Sequence, residues 1–486
     1  MTDNVDVAVI GSGMGALSAA ALLAQRGLKV HIFEQNYLPG GCTSAYWRKG
    51  FVFEAGATTL VGLDEGMPLR QVLDRTGISL PAKQLTLPMQ VHLSNGQVIN
   101  RYQDLEQWIQ EAERVFGPKN QRAFWEFCYR VSQFVWDTSV KQVHFPPSSI
   151  KDLLKSAQRA SLKQVNYARY ALFSMKWLLE KYDLLENQTF VDFVDEQLLI
   201  TAQNQHPEVN VLFGATALCY TNYGNYYLDG GLISLVQPFV DYVEAKGGKL
   251  HLRTGVKNVA NTAKNYLITT DKGDQYSAEY VISGIPINNT LPLFEGNWKG
   301  KLEKKLMVSE QLNSAFQMGI GFKPHREFEA LHHQIHLDKP LAETGSHSIF
   351  ISLSDPDDTS RSDEPGLRVM SISTHVPNPS KRIIDNEKVA QEILKKLFED
   401  DILLPENIIY QHHSGPKSWQ KWTGRAFGFV GGYPQFRHIK PWQMLDARLD
   451  GHKAYICGDT TYPGQGIPGV TLSGLIAFEK LKSDWL

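Results

Sequence analysis

Only four cysteines occur in 486 residues, Cys42, Cys128, Cys219 and Cys457, widely spaced and without a metal-type pair. That pattern argues against a disulfide framework and fits free thiols in a reducing compartment. Long apolar runs are missing as well: no stretch of about 18 apolar residues appears, and a helix crossing a bilayer needs about 20. No basic region, apolar run and cleavage site precede the first strand, so a signal peptide is not expected. Net charge is nearly absent, since 49 Lys and Arg against 51 Asp and Glu leave −2. Nothing there attracts nucleic acid as a whole. The pairs His332-His333 and His412-His413 have no recognisable partner set, so no metal is expected. The expectation is a cytoplasmic protein, peripherally associated with the inner face of a membrane. What is present is ordinary globular composition, 42% hydrophobic and 21% charged, in a chain long enough for two or three packed units.

The run Val5 to Ile10 reads as a short buried strand. It turns through Gly11-Ser12-Gly13-Met14-Gly15-Ala16 into an Ala/Leu-rich helix that stops at Gly27, and a second strand, Lys29 to Phe33, ends in Glu34. Gly11 permits the tight turn, Gly13 lets backbone approach a pyrophosphate, and the small Ala16 lets helix and strand pack closely. The helix N-terminus would then face the phosphates with unpaired N–H groups. Glu34, 23 residues after Gly11, stands where a carboxylate accepts hydrogen bonds from an adenosine ribose. Soon afterwards come Pro39-Gly40-Gly41-Cys42-Thr43 and the stretch Gly50 to Thr59, which includes Gly56. A nicotinamide-type unit needs no second glycine-rich turn there. Flavin adenine dinucleotide (FAD) does, because its ribityl-pyrophosphate arm must be followed along the protein. Taken alone, the segment reads equally as two surface turns flanking a hairpin. The C-terminal part adds a strand, Ala454 to Cys457, then Gly458-Asp459, a glycine-rich loop Pro463 to Gly469, and a helix Val470 to Leu481.

With Asp229-Gly230-Gly231, Val281-Ile282-Ser283 and Pro416 to Gly432, which contains Trp422-Thr423-Gly424-Arg425, these motifs resemble in order and spacing the bacterial phytoene and carotenoid desaturases. Carotenoid isomerases and retinol saturases are relatives of that flavoprotein family, and hydroxycarotenoid 3,4-desaturases are the branch most similar. The resemblance runs from end to end. It implies an α/β fold with a Rossmann-like FAD-binding domain of discontinuous segments, residues 1–70, 228–290 and 415–486. A substrate-binding domain of mixed β-sheet would take 71–103 and 291–414, and a helical substrate- and membrane-facing region 104–227. The implied reaction is desaturation of a long acyclic carotenoid by hydride transfer to flavin. Cis–trans isomerisation with reduced FAD is the enzymatic alternative, and a prenyl-lipid escort of the GDP-dissociation-inhibitor type is the non-enzymatic one. The resemblance sets the main chain at Val256 against the adenine and Gly458-Asp459 against the pyrophosphate–ribityl arm. It places the turn Ile467-Pro468-Gly469-Val470 against the isoalloxazine. Asp459 also reads as a helix N-cap. Arg425 would contact the cofactor or line the site. No catalytic residue is identified: Asp152 and Lys155 fall in a stretch considered for proton transfer in related desaturases, but Ser149-Ile150-Lys151-Asp152 resembles a capping box.

Elsewhere, Leu232 to Glu244 reads as a helix, Lys249 to Arg253 as a strand, and Asp271-Lys272-Gly273 as a hairpin turn. Met89 to Ile99 forms a hairpin turned at Asn95-Gly96. Ser314 to Phe322, His347 to Ser352 and Leu367 to Val376 read as further strands of a sheet that walls a pocket. Residues 353–366 are acidic and read as an exposed loop. In the helical middle, Phe124, Phe127, Cys128, Val131, Phe134 and Val135 form an apolar stripe that reads as core. Residues 151–181 hold seven Lys or Arg against Asp152 and Glu180, a local +5, interleaved with Tyr167, Tyr170, Phe173, Met175 and Trp177. Such a segment is either an interfacial helix at an anionic membrane or a solvated face over a packed one.

Overall fold

Val7 to Ile10 and Val30 to Phe33 are apolar on both faces, as strands covered on both sides must be. In the computed structural model, which describes residues 3–56, 59–158, 166–262 and 264–486, both runs are buried inside a seven-stranded sheet. Its order is Lys249–His251, Val30–Phe33, Asp3–Ile10, Gln275–Ser283, Tyr266–Thr270 and Val256–Asn261. Ala454–Ile456 pairs in parallel with the far end of Gln275–Ser283, beside the hairpin turned at Gly273. Strands from separated parts of the chain therefore share one sheet. The strands around Asp3–Ile10 are parallel and the hairpin edge is antiparallel.

One face of this sheet is covered by the helix Met14–Gln25, whose residues Met14 to Ala24 are all buried. A helix covered on every side suits alanine, because small side chains let neighbours approach. The C-terminal helix Ile467–Trp485 crosses it closely: a Cβ on Gly474 would stand 2.2 Å from the Gly15 carbonyl oxygen.

A second seven-stranded sheet runs Ile408–Ser414, Asn313–Phe322, Arg368–Pro377, Ser348–Leu353, His332–His336, Met89–His92, Val98–Arg101. It is antiparallel except where His332–His336 meets Met89–His92, so it is mixed, and the Asn95-Gly96 hairpin lies at its edge. The two strands that sequence reasoning did not find are those carrying the histidine pairs. Their imidazoles hide an alternation that aliphatic residues would have shown. His333 lies 3.2 Å from His92, and His412 lies 2.8 Å from the Tyr46 hydroxyl.

The expectation of a plainly exposed loop at 353–366 needs correction. Most of it is exposed, but Asp358 and Arg361 are buried. Arg361 pairs with Glu54 at 3.0 Å, and Asp358 accepts from the Tyr227 hydroxyl at 2.7 Å. A buried guanidinium needs such a partner. The helices Leu105–Phe116, Gln121–Ser139, Gln188–Ala202 and Val211–Leu218 form a third layer around Trp108, Trp125, Phe190 and Phe193. The apolar stripe divides there: Phe124, Cys128 and Val131 are core, whereas Phe134 and Val135 line a cavity. Among the described residues no helix is long and apolar enough to cross a membrane.

Candidate active site

Between the sheets and the helical layer lies a cavity of about 880 Å³. Every glycine of the first turn faces it. Gly11 has φ of 85°, and around Gly13 no atom lies within 4 Å of where a Cβ would stand, so the missing side chain leaves open space along the turn. A Cβ on Gly15 would stand 2.9 Å from the Val470 carbonyl and 3.2 Å from the Gly458 nitrogen, so Gly15 lets the two ends of the chain abut. Ala16 is the one expected site residue that does not line the cavity. It packs instead on Gly284, where a Cβ would meet the Ala16 Cβ at 2.4 Å, which is the close-packing role that its size suggested.

Glu34 is buried at the end of its strand. One carboxylate oxygen accepts from the Ser12 backbone at 3.0 Å and its hydroxyl at 2.5 Å, and the other accepts from the Asn36 backbone at 2.9 Å. The Ser12 hydroxyl oxygen also accepts from Gly40 N–H at 3.2 Å. Ser12 thus ties the first glycine turn, the acid and the second glycine turn together. Sequence reasoning missed that role, although a lone hydroxyl between two required glycines was the available signal. Gly40 and Gly41 both have positive φ, 106° and 57°, and a Cβ on Gly56 would strike the Trp419 ring at 2.7 Å. Val256 also lines the cavity, two residues after Thr254, whose N–H donates to the Glu34 carbonyl at 2.8 Å.

Beside the first glycine turn, Gly458 has φ of 111° and donates to the Ser473 hydroxyl at 2.9 Å. The last helix begins at Ile467 rather than Val470, so Ile467-Pro468-Gly469 is its first turn and not a preceding loop. Proline fits there because its missing N–H would have had no helical partner. Its N-cap is Gly466, so Asp459 is not the cap. Neither this helix nor Met14–Gln25 has a side-chain cap, and both N-termini open onto the cavity. Uncapped N–H groups carry partial positive charge that suits an anionic ligand.

Asp459 lines the cavity but is already paired, with Arg425 at 2.8 Å. Arg425 also donates to the Gly431 carbonyl at 2.7 Å and lies 3.9 Å above the Phe429 ring. Burial pushes the Asp459 carboxyl up, and the adjacent guanidinium opposes that. Cys42 sits 4.0 Å from Arg425, its thiol also pushed up by burial.

The opposite wall is made of side chains. The second sheet presents Gln317, Ser373, His375, Ser348 and Phe350, and the helices add Phe134, Leu212, Phe213 and Tyr220. Gln203, in a left-handed conformation at the end of Gln188–Ala202, reaches within 3.4 Å of His375. Burial lowers His375 to about 4, so its ring is neutral near pH 7. Of these only Phe134 was named from sequence, as part of a core stripe; the strands were read as a pocket wall, but none of their wall residues was singled out. One usable signal was the alternation Ser371, Ser373, His375 between mostly apolar residues of Arg368–Pro377.

The basic segment differs from its expectation. Arg159 and Lys163 lie outside the described residues. Tyr170 is buried against Phe127, Tyr167 stacks on Phe134, and Phe173 stacks on Trp177, so these aromatics pack inward. The exposed apolar side chains are instead Ile150 (78%), Leu153 (56%), Leu154 (61%) and Leu172 (51%). Asp152 is structural: its N–H is capped by Ser149 at 3.1 Å, and its carboxylate takes Arg448 at 2.5 and 3.1 Å. Burial alone would raise that carboxyl, but Arg448 and the charge of Lys480 hold it at about 2.

The sequence profile of the flavin containing amine oxidoreductases matches residues 17–479, almost the whole chain. The chain belongs to that family. Its cofactor is accordingly FAD. Curated relatives include a chloroplastic prolycopene isomerase of an Oncidium hybrid cultivar, 22% identical over 99% of this chain and 84% of that one. The 4,4'-diaponeurosporene oxygenase of Staphylococcus haemolyticus is 24% identical over 98% and 97%, and its 4,4'-diapophytoene desaturase is 22% identical over 98% and 99%. These agree with the carotenoid desaturase and isomerase resemblance of the motifs. Among solved structures, putrescine oxidase matches with a TM-score of 0.63 at 14% identity, covering 100% of this chain and 99% of that one, which shows the shared fold.

Proposed function

We propose that the protein is an FAD-dependent desaturase of a long acyclic carotenoid. One observation carries the reading: among the described residues lining the cavity, the only Asp, Glu, Lys or Arg are Glu34, Arg425 and Asp459, all on the glycine-rich side. The remainder of the cavity is uncharged and rich in Phe, Tyr, Leu and Ala. Apolar surface removed from water there favours a hydrocarbon ligand, and no carboxylate stands ready for an ammonium group.

The glycine-rich side fits FAD. The open space at Gly13, the positive φ at Gly40 and Gly41, and two uncapped helix N-termini make a groove that backbone, not side chains, would contact. In this reading Gly11, Gly13, Gly15, Gly40, Gly41 and Gly458 follow the pyrophosphate arm. Glu34 takes the ribose and Val256 the adenine side, while Pro468, Gly469 and Val470 bring the last helix to the ring system. Gly56 lets the Trp419 ring approach, and Asp459 acts by holding Arg425. When bound, FAD supplies hydride acceptance; the chain's own part is to orient the polyene and exclude water. The division into a cofactor part (1–70, 228–290, 415–486), a sheet part (71–103, 291–414) and a helical part (104–227) belongs to the same proposal.

We also infer a cytoplasmic protein docked on a membrane surface. Ile150, Leu153, Leu154 and Leu172 present apolar atoms beside Lys and Arg, and the same segment reaches the cavity through Ser156, Ala168 and Ala171. A substrate nearly insoluble in water would then pass from lipid without crossing solvent. The test is anaerobic incubation of the yellow protein with acyclic carotenoids. Flavin bleaching with a longer-wavelength product is expected. Product of unchanged mass would instead establish the isomerase, and folded protein that takes up no flavin would overturn both.

A further inference from the structure

Desaturation takes one hydrogen from each of two neighbouring carbons. With hydride acceptance supplied by FAD, the first leaves with its electron pair. The second must leave as a proton, and the electron pair of its broken C–H bond becomes the new π bond. Some group of the chain has to receive that proton, and the cavity offers few. Glu34 is held by Ser12 and Asn36, and Asp459 is paired with Arg425. Glu196 lies behind Ser348 and does not line the cavity. Burial pushes the Cys42 thiol and the Tyr220, Tyr223, Tyr433 and Tyr462 hydroxyls up, so each keeps its own proton. Among the described lining residues that leaves one histidine, His375.

Its place suits the task. His375 stands on Arg368–Pro377 across from the small Ala315, and both line the cavity. Gln203, 3.4 Å from Nε2, is its hydrogen-bond partner among the described residues; Nδ1 has none there and is not sealed off. A Cβ on Gly431 would strike both the Gln203 and the Gln465 side chains, and Gln465 directly precedes Gly466, the N-cap of the last helix. Gln203 thus bridges the imidazole to the loop that leads into the turn assigned to the flavin ring. We propose that His375 is a catalytic residue, the base that takes up at Nδ1 the proton lost from the carbon beside the hydride-losing one. This rests on the desaturase reading. The tautomer with its proton on Nε2, toward Gln203, leaves the Nδ1 lone pair to the cavity. An amide can face the ring with either end, so Gln203 suits the ring before and after proton uptake. Burial keeps His375 at about 4, so the ring is unprotonated at neutral pH. A base that weak suffices, because positive charge developing on the polyene makes the adjacent C–H strongly acidic.

The experiment is anaerobic single turnover of the flavin-loaded protein in detergent with a panel of acyclic carotenoids, read as flavin bleaching. His375→Ala and His375→Gln should keep flavin content and polyene binding, the latter read by quenching of tryptophan emission. Both should bleach about 100-fold more slowly, the scale of general-base catalysis. Glutamine keeps bulk and a contact for Gln203, which protects the fold if alanine does not. Added imidazole should speed His375→Ala, whereas pyrrole, of the same ring shape but without a basic nitrogen, should not. Rescue by both or by neither means that the ring only fills space, and overturns the proposal. So does bleaching of either variant at the parent's rate, or loss of flavin or polyene binding in both. If the unmodified protein bleaches with none of the carotenoids, the desaturase reading itself falls and the proposal with it.

Discussion

The glycine-rich wall of the cavity meets its ligand with backbone, while the sheet-and-helix wall meets it with side chains. On the first, shape is set by absent Cβ atoms at Gly13 and Gly15, with Gly474 letting the last helix close on Gly15 behind them, and by one acid, Glu34, braced by Ser12. On the second, Phe350, Ser373, His375 and Phe213 stand on regular strands and helices, where one side chain can be exchanged without moving its neighbours. The first wall should therefore tolerate almost nothing and the second a great deal. Divergence of substrate over a constant cofactor follows from that division of labour.

The strongest way to break the comparison is to disturb the close helix crossing that supports the backbone wall at Gly15. Gly474→Val would place a Cβ 2.2 Å from the Gly15 carbonyl oxygen, and that neighbour is backbone in a helix. Destabilisation above about 4 kcal/mol is expected, read as loss of soluble, flavin-containing protein; a yellow variant melting like the parent would show that the helices can slide apart. Next in size is the joint between the two walls. Asp152 on the helical side is clasped by Arg448 from the C-terminal segment, so Asp152→Asn should cost about 3 kcal/mol. Because the folded carboxyl sits at about 2, below its unfolded value, this contribution is present above about pH 4 and lost as pH falls through about 2. Acid melting curves of parent and variant should converge across that window; parallel curves would refute the assignment.

Glu34→Ala comes third. Its charge-assisted hydrogen bonds are worth about 1.5–3 kcal/mol, so FAD affinity should fall by one to two decades, and less for Glu34→Gln. Equilibrium dialysis that shows unchanged FAD binding in both variants would remove Glu34 from the site. The smallest effect belongs to the side-chain wall. Phe350→Leu should leave FAD affinity unchanged and stability within about 1.5 kcal/mol, while altering which polyene binds best. A large loss of flavin there would erase the distinction between the walls.

The same distinction explains what was legible in the sequence. A backbone site forces glycines into fixed spacing, and the order of Gly11, Gly13, Gly40 and Gly458 along the chain is enough to mark a groove. The adjoining strands and the helix Leu232 to Glu244 followed from apolar runs between turns, and the structure has that helix at Ile233–Ala245. A side-chain site leaves no such spacing. Ser348 and Glu196 lie 152 residues apart and meet only because a strand and a helix pack together. The basic segment misled for a related reason: composition showed aromatics among charges but not their direction, and Tyr170 and Tyr167 turn inward while Leu153 and Leu154 turn out.

The helix Met14–Gln25 has a consequence for how the chain comes to be folded at all. Its residues Met14 to Ala24 are buried all round, and part of that cover is a helix that begins at Ile467. During synthesis an almost wholly apolar first helix must wait for more than four hundred residues of chain before its lid exists. Contacts so distant along the chain form slowly, and exposed apolar surface invites aggregation meanwhile. A dinucleotide that bridges both glycine turns would act as a template for this late closure, so recombinant yield should rise with riboflavin supply during expression, not afterwards.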